Sequence, residues 1–273
     1  MEYLKQKCKA LRIDVLRMLN ASESGHTGGS LSAIEIMAGL YYAKMNISAE
    51  NFKDPLRDRF VLSKGHAAPV LYAILADKGF FPKEELLTLR KLHSRLQGHP
   101  DSKKLPGIEA ATGSLGQGCS IAVGMAIAAK AQKKDLNVYT LLGDGEIQEG
   151  IVWEACMAAA SYKLDNFTLI VDNNGLQLDG PCEKILNMGN LCDKFEAFGF
   201  EVIELEDGND IEVVVNALNT KPKKDKPTCI IAHTIKGKGV SFAENQVGWH
   251  GKAPNDEELE IALKELQGDE DND

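Results

Sequence analysis

The second half of the chain alternates short apolar runs with segments of helical periodicity. The runs are rich in branched and aromatic residues and read "NVYTLLG", "FTLIVDN", "FEVIEL" and "TCIIAHT". Helical patterns separate them, among them "GIVWEACMAAASYK" and "DIEVVVNALNT". Strands that alternate with helices in this way form a parallel sheet covered by helices on both faces. We therefore predict an α/β fold with a doubly wound, mostly parallel sheet.

The first half of the chain fits the same domain. "RFVLS" predicts a further short strand, and the segment up to about residue 20 predicts a helix. Two more helices are predicted: "SLSAIEIMAGLYYAKM" with Ser30 or Ser32 as N-cap, and "PKEELLTLRKL" with Pro82 in its first turn. The sequence contains no internal repeat and no low-complexity linker. We predict one domain over residues 1–267, followed by a short acidic tail over residues 268–273.

Composition and charge exclude several classes of protein. The formal net charge of -9 argues against a nucleic-acid-binding surface, which normally clusters Lys and Arg. The longest run of small apolar residues, "SIAVGMAIAAKA", is too short to span a bilayer, which needs roughly 20 residues. The six cysteines are scattered, which indicates neither a disulfide framework nor a zinc site. These features predict a cytoplasmic protein that binds neither nucleic acid nor a membrane.

The turn "LLGDGEIQEG" follows a predicted strand and carries a candidate ligand site. In an open α/β sheet, ligands bind beyond the carboxyl ends of the strands, where Asp144 lies. A dinucleotide-binding turn needs a third glycine after Gly143 and Gly145, and the chain has Gln148 there. An aspartate between the two glycines would repel a diphosphate unless a cation lay between them. The turn therefore indicates a site for a metal and a diphosphate, and the alternative is a turn without a ligand.

The next predicted strand supplies further oxygen ligands. "FTLIVDNNG" contains Asp172, Asn173 and Asn174 at its end, at the same edge of the sheet as Asp144. Adjacent parallel strands lie about 4.8 Å apart, so the loops that follow them reach one ion. A carboxylate, an amide oxygen and a backbone carbonyl suit Mg²⁺ or Ca²⁺, which also binds diphosphate oxygens. The N–H of Gly145 would then approach a phosphate.

"GDG" followed by "NN" resembles the signature of thiamine diphosphate enzymes, and further motifs are similar to the N-terminal part of transketolase. These motifs are "SGHTGGSLS", "LSKGHAAPVLYA", "GHPD", "ATGSLGQG", "GDGEIQEGIVWEA", "DNNGLQLDG" and "HTIKGKGVSFAE" with "WHG". They follow the order of the family and cover most of residues 22–252. The resemblance implies a thiamine diphosphate-binding domain whose cofactors are thiamine diphosphate and Mg²⁺ (or Ca²⁺).

Four of the six histidines lie in loops flanked by glycine or proline. Imidazoles in such loops can donate to phosphate or relay protons, and ordinary surface positions are the alternative. The resemblance implies that His66 and His250 bind the diphosphate, and that His250 also lies near the reacting centre. It implies that His26 and His99 face the hydroxyls of the sugar. Two histidines match no site of the family and are interpreted as structural: His93 and His233.

The resemblance implies roles for further residues. Asp144 and Asn174 would give side-chain oxygens to the metal, and Leu176 would give a main-chain carbonyl. Glu149 would act in catalysis through a carboxylate network that links two active sites across a subunit interface, with stabilisation of a helix dipole as the alternative. The remaining implied cofactor-binding residues are Gly113, Ser114, Leu115, Gly143, Gly145 and Glu146. Two positions depart from the proline found in many members of the family: Thr27 and Ser114.

The chain stops soon after "WHG", where a full transketolase continues with a pyrimidine-binding domain. A glutamate of that domain activates the cofactor, so the sequence predicts half of an active site. The resemblance implies the N-terminal subunit of a split transketolase, with a C-terminal partner subunit, in an α2β2 heterotetramer. The implied reaction transfers a two-carbon ketol unit from a ketose phosphate to an aldose, with His26, His99 and His250 handling hydroxyl protons.

Other functions fit some of the same motifs. Deoxyxylulose phosphate synthase and the alpha subunits of 2-oxo acid dehydrogenases carry the same metal signature, although "SKGHAAPVLYA" and "EIQEGIVWEA" look more like transketolase. A non-catalytic module that stores or senses thiamine diphosphate is a hypothesis of a different class. The sequence leaves open the partner, the native metal and the sugar, which includes pentose phosphates, apiose-derived ketoses and sulfo-sugars.

Overall fold

A computed structural model describes residues 1–268. The strands are β1 Arg59–Leu62, β2 Val138–Gly143, β3 Phe167–Asn173, β4 Leu176–Gln177, β5 Gly180–Pro181, β6 Glu201–Leu205 and β7 Thr228–His233. Five of them form a sheet in the order β1-β2-β3-β7-β6, in which every pairing is parallel. A separate antiparallel pair, β4 with β5, follows β3. The predicted α/β fold with a parallel sheet is confirmed.

Helices cover both faces of the sheet, because successive residues of a strand point to opposite sides. The helices are α1 Glu2–Ser22, α2 Thr27–Leu31, α3 Ile34–Gly39, α4 Ala68–Asp77, α5 Gln117–Ala131, α6 Gly150–Ser161, α7 Cys182–Ile185, α8 Leu191–Ala197, α9 Ile211–Leu218 and α10 Asp256–Gln267. Leu141 and Ile170 pack into one apolar cluster with α1, α3, α4 and α9, while Leu142 and Val171 pack into a second with α5, α6 and α8.

The predicted helix that starts at Ser30 or Ser32 is wrong in its start and its continuity. The chain is already helical from Thr27, breaks at residues 32–33 and resumes as α3, which ends in a π-helical turn over residues 40–44. Neither serine accepts a capping hydrogen bond. Ser30 Oγ donates to the carbonyl of His26 at 2.7 Å, and Ser32 Oγ donates to the carboxylate of Asp172 at 2.6 Å. The hydroxyls serve tertiary contacts that local sequence does not reveal.

The predicted helix "PKEELLTLRKL" is also wrong. Only residues 83–88 form a turn of 3₁₀ helix, and Pro82 precedes that turn with an extended backbone. The chain then reverses, because the N–H of Arg90 donates to the carbonyl of Leu96 at 2.9 Å. Arg95 reinforces the reversal with two hydrogen bonds of 2.8 Å to Glu85. These contacts with later residues stop the helix after its first turns.

The predicted acidic tail at residues 268–273 lies outside the described residues except for Gly268. Among residues 1–268, no helix combines the length and apolar character needed to cross a membrane. The "KPKKDK" segment at residues 221–226 is an exposed loop.

Candidate functional site

The carboxyl edge of the sheet brings the two predicted metal-binding loops together. β2 and β3 pair in parallel up to their last residues, with Gly143 opposite Asp172. Asp144 directly follows β2 and is buried, and Asn174 directly follows β3. Neighbouring loops therefore carry a carboxylate and an amide at one edge of the sheet.

Backbone hydrogen bonds orient both side chains. Asp144 Oδ1 accepts the N–H of the next residue at 2.8 Å, and its other oxygen accepts the N–H of Gly175. Asn174 Oδ1 accepts the N–H of Leu176 at 3.2 Å. Burial raises the pKa of Asp144, and the nearby charge of Asp172 raises it further. A cation beside this carboxylate would oppose both effects, since it favours the charged form.

These loops offer an oxygen-donor set that fits a hard divalent cation. The set comprises the Asp144 carboxylate, the Asn174 amide oxygen and the Leu176 carbonyl, which accepts from Lys236 Nζ at 2.9 Å. Within the part of the chain that the structure describes, no three His, Cys, Asp or Glu side chains are grouped to hold a metal. Mg²⁺ suits such a sparse set, because it commonly binds one or two carboxylates together with waters and substrate phosphates.

Four histidines cluster beside this edge of the sheet, and two of them, His66 and His250, line a cleft there. The ring centroids of His26, His66 and His250 lie between 5.3 and 5.6 Å from one another. His99 is 6.4 Å from His26. The structure therefore groups the four histidines that the resemblance placed in the site, although their loops are far apart in sequence. Two histidines lie outside this group: His93 and His233.

All four clustered imidazoles are held neutral near pH 7. Burial is the main cause, and cationic side chains add to it. The pKa falls to about 4 at His26, where Arg90 is the second cause, and to about 3 at His250, where Lys236 is the second cause. Neutral imidazoles both donate and accept hydrogen bonds, as binding of sugar hydroxyls requires. The pKa also falls below its ordinary value at the other two: His66 and His99.

Two buried lysines, which no sequence motif had indicated as site residues, also line the cleft. Lys64 lies just after β1, where its Nζ contacts the carboxylate of Asp172 and donates to the carbonyl of Gly29 at 2.9 Å. Lys236 lies just after β7, with Nζ 2.7 Å from Nδ1 of His250. Burial lowers the pKa of Lys236 to about 8, and the charge of Lys64 adds to this shift. Both lysines follow the carboxyl end of a strand, and this position in the sequence could have indicated that they belong to the site.

The cleft has a volume of about 290 Å³, and glycines shape its walls. A Cβ added at Gly29 would lie 3.3 Å from His66 Nε2, and one at Gly145 would lie 2.6 Å from Gln177 Oε1. Glycine lets the backbone approach a ligand where a side chain would intrude. The predicted site residues that line the cleft are His66, Leu115, Gly143, Asp144, Gly145, Glu146, Glu149, Asn174, Leu176 and His250.

The loop before α5 lies against His99. Gly113 has a φ of +146°, and a Cβ there would come within 3.1 Å of the His99 ring. Ser114 and Leu115 follow with exposed side chains, and Leu115 reaches the cleft. Gly113 and Ser114 do not line the 290 Å³ cleft itself. The Gly113 backbone instead supports the histidine beside it.

The two predicted glutamates, Glu146 and Glu149, differ in burial and in hydrogen bonding. Glu146 is buried, and its carboxylate accepts from Ser63 Oγ at 2.5 Å, the N–H of Gly116 at 2.8 Å and the N–H of Gly143 at 3.1 Å. The hydrogen bonds of Glu146 therefore connect the end of β1, the loop before α5 and the end of β2. Glu149 is exposed at the start of α6 and makes no capping hydrogen bond through its side chain.

Thr27, which departs from the proline of many transketolases, is fixed in another way. Its Oγ1 donates to the carbonyl of Lys252 at 2.6 Å, and the residue is buried. This bond restrains the loop that carries His26. The Nδ1 atom of His26 is buried and has no hydrogen-bond partner among residues 1–268.

Comparisons with known proteins show the family to which the chain belongs. A family model described as "Transketolase, thiamine diphosphate binding domain" matches residues 4–272. The chain belongs to the transketolase family. It is 45% identical over 266 residues to an apulose-4-phosphate transketolase subunit of Actinobacillus succinogenes, with 97% of this chain and 96% of that protein covered.

Two further transketolases show how much of a relative's length this chain covers. The 6-deoxy-6-sulfo-D-fructose transketolase subunit of a Clostridium species is 41% identical over 264 residues, with 97% of this chain and 96% of that protein covered. The solved transketolase of Campylobacter jejuni superposes with a TM-score of 0.91 at 36% identity, and the match covers 100% of this chain and 44% of that one. The chain spans less than half of that transketolase. The resemblance to an N-terminal, diphosphate-binding transketolase subunit is confirmed.

Proposed function

We propose that this chain works as the N-terminal subunit of a two-chain transketolase with thiamine diphosphate and Mg²⁺. The pair transfers a two-carbon ketol unit from an anionic ketose to an aldose. The observation that carries the proposal is a cleft lined by two imidazoles, two buried lysines and one oxygen-donor set, with the imidazoles of His26 and His99 clustered beside it.

In the proposed enzyme, different residues bind the diphosphate, hold the metal and form the cofactor pocket. His66, His250 and Lys236 bind diphosphate oxygens through their N–H groups, because these donors line the same cleft. The proposed metal ligands are Asp144, Asn174 and the carbonyl of Leu176. The remaining proposed contributors to the cofactor pocket are Gly113, Ser114, Leu115, Gly143, Gly145 and Glu146, the last through the cleft wall that its carboxylate holds in place.

The residues of the chain bind the sugar and move its protons. When bound, thiamine diphosphate supplies the nucleophilic carbon of the reaction. His26 and His99 lie with their ring centroids 6.4 Å apart, and we assign both to the hydroxyls of the sugar. Because the pKa values of His26, His99 and His250 lie below the ordinary value of 6.5, these imidazoles are in the neutral form near neutral pH.

A C-terminal partner subunit completes the site in this proposal. Relatives of nearly the same length are named as single subunits of a transketolase, which supports a second polypeptide that carries the pyrimidine-binding domain. Exposed Glu149 is free to join a carboxylate network at the subunit interface of an α2β2 heterotetramer. The six cysteines are all free thiols, which supports a reducing, cytoplasmic location.

The substrate class is tested with a panel of ketose donors. The co-purified pair receives thiamine diphosphate, Mg²⁺, ribose 5-phosphate as acceptor, and one of xylulose 5-phosphate, apulose 4-phosphate or 6-deoxy-6-sulfofructose. We expect ketol transfer from at least one donor, with pentose phosphates and the sugars named for the relatives as the candidates. Consumption of pyruvate, or no ketol transfer from any donor by a cofactor-loaded pair, would contradict the proposal.

A further inference from the structure

A second cavity lies at the amino edge of the sheet, where the strands begin. It has a volume of about 390 Å³, and its floor is formed by residues of four neighbouring strands, β2, β3, β7 and β6. The cavity opens where α9 ends, at Leu218. This helix has eight residues and is about 12 Å long, whereas the six residues of β7 span roughly 20 Å, so α9 leaves the first residues of the strands uncovered.

Four side chains of the floor form one row across the sheet. Tyr139 of β2 is paired with Thr168 of β3, which is paired with Thr228 of β7. Thr228 is in turn paired with Glu201 of β6. Paired residues of adjacent strands lie on the same face of a sheet, and all four residues line the cavity. The row therefore presents three hydroxyls and one carboxylate to the same space.

The hydroxyls of this row have no partner in the described part of the chain. Tyr139 and Thr228 are only 3% and 7% exposed, yet no group of residues 1–268 hydrogen-bonds to either hydroxyl or to that of Thr168. Thr140, on the other face of β2, differs because its Oγ1 donates to the carbonyl of Val61 at 3.0 Å. Buried polar groups are normally hydrogen-bonded. The floor therefore offers three unused donors to a ligand in the cavity.

Lysines surround the opening of the cavity. Lys44, Lys221 and Lys223 line it, and Glu201 is the one carboxylate among its described lining residues. Lys223 is already paired with Glu201 at 3.1 Å. Neither Lys44 nor Lys221 forms an ion pair with any residue in the range 1–268. Two ammonium groups without a counter-charge therefore lie above the three hydroxyls.

This donor set matches a phosphate group. A phosphate group presents three strong acceptor oxygens, and lysine ammonium groups bind it as point charges. The hydroxyls would donate to those oxygens while the two ammonium groups balance the charge. A carboxylate has two oxygens and would use fewer of the donors. A volume of about 390 Å³ is within the usual range of small-molecule sites.

We propose that the cavity at the amino edge binds a small phosphorylated molecule at a second site, separate from the reaction cleft. The cleft lies at the opposite edge of the same sheet, roughly 20 Å away along strands of six or seven residues. A cofactor in the cleft therefore leaves this cavity open. The inference goes beyond the proposed transfer reaction and does not depend on it. The competing explanation is a water-filled cavity whose lysines have no ligand.

The experiment titrates inorganic phosphate calorimetrically into the full chain. Saturating thiamine diphosphate and Mg²⁺ occupy the reaction cleft, and chloride keeps the ionic strength constant. One variant combines Lys44→Gln with Lys221→Gln, and another is Tyr139→Phe. We expect saturable binding by the wild type. The double variant should weaken it about ten- to hundred-fold, as expected for lost charge-assisted bonds, and Tyr139→Phe about two- to ten-fold.

A second double variant, Lys224→Gln with Lys226→Gln, is the matched control. It removes the same charge from the same exposed loop, but neither lysine lines the cavity. Its phosphate affinity should stay within about two-fold of the wild type, as expected for screened surface charges. Absence of saturable phosphate binding in the wild type, or equal weakening by the two double variants, would overturn the inference.

Two further measurements test the ligand class and the state of the tyrosine hydroxyl. Malonate, a small dicarboxylate, should bind the wild type several-fold more weakly than phosphate, and equal or tighter binding would overturn the assignment to a phosphate group. Tyr139→Phe should leave the urea midpoint unchanged in phosphate-free buffer, because its hydroxyl has no partner in the described chain. A lowered midpoint would show that the hydroxyl serves the fold and would overturn its assignment to a ligand.

Discussion

Nζ of Lys236 lies 2.7 Å from Nδ1 of His250, within the same cleft as the oxygen-donor set. The pKa of His250 falls to about 3, so the imidazole is neutral and its Nδ1 accepts from the ammonium group. A neutral imidazole carries only one N–H, which must then be on Nε2. Lys236 therefore selects the tautomer of His250 that can donate through Nε2.

Lys236→Met should weaken thiamine diphosphate binding about ten- to hundred-fold, because it removes a charged donor from the diphosphate cleft and releases the tautomer of His250. Isothermal titration with saturating Mg²⁺ measures the change. Lys238→Met is the control, since Lys238 is a half-exposed residue paired with Glu244 at 3.6 Å. Equal affinity in Lys236→Met and the wild type would show that the lysine does not contact the cofactor.

Asp144→Asn should raise the Mg²⁺ concentration needed for half-maximal cofactor binding by about ten-fold or more. Asparagine keeps an oxygen for the backbone N–H of Gly175 but removes the only carboxylate of the donor set. Asp58→Asn is a matched control at the opposite edge of the sheet, where Asp58 is buried and accepts from the N–H groups of Asn46 and Asn137.

The control variant should lose about 1–3 kcal/mol of stability through its weakened hydrogen bonds, with no change in Mg²⁺ requirement. A Mg²⁺ requirement that rises equally in both variants would indicate general destabilisation of the domain. It would thereby remove Asp144 from the proposed metal site.

His99→Ala should lower kcat of the pair by about 10²–10⁴-fold, the usual contribution of a positioned proton-transfer group, while cofactor affinity stays within about two-fold. The reason is that His99 lies beside His26 and does not line the diphosphate cleft. His93→Ala is the control, because His93 is exposed and outside the histidine cluster. Unchanged turnover in His99→Ala would exclude His99 from the mechanism.

The cofactor-free chain should lose stability as the pH falls below 6.5. The pKa values of His26 and His250 are lowered in the folded chain to about 4 and about 3, against an ordinary value of 6.5. Below pH 6.5 the unfolded chain binds protons that the folded chain does not, so acid favours unfolding. The contribution of these two histidines to the free energy of unfolding is fully present above pH 6.5. It is lost progressively as the pH falls towards 4 and then 3.

Urea denaturation at several pH values measures this slope, which is about 1.4 kcal/mol per pH unit for each differential proton. His26→Asn should reduce the slope between pH 4 and 6.5 by up to one proton. A slope identical to that of the wild type would mean that His26 titrates normally in the folded chain.

The strands of the sheet were predictable because their sequence pattern is local. Each strand is a short run of branched residues, and the central strands are buried on both faces, as a parallel sheet requires. Asp144 and Asn174 could be assigned to one edge for the same reason, since the register of adjacent parallel strands sets where both loops begin. The convergence of the four histidines was implied only by the resemblance, because their loops are far apart in the chain.

The features that the sequence analysis missed depend on distant contacts. Ser32 breaks a helical segment to reach Asp172, which is 140 residues away. Arg90 reverses the chain by bonding to Leu96, where periodicity alone favours a continuing helix. Lys64 and Lys236 resemble ordinary surface lysines in the sequence, and only the packed structure shows that both are almost completely buried.

The central claim is that this chain carries half of a transketolase site, and the most direct test is an activity assay of the chain with and without its partner. Ketol transfer to ribose 5-phosphate is measured with thiamine diphosphate and Mg²⁺, for the isolated chain, the isolated C-terminal partner and the co-purified pair. The account predicts cofactor-dependent transfer only in the pair. Transfer by this chain alone, or a cofactor-loaded pair that transfers no ketol unit from any donor of the panel, would contradict it.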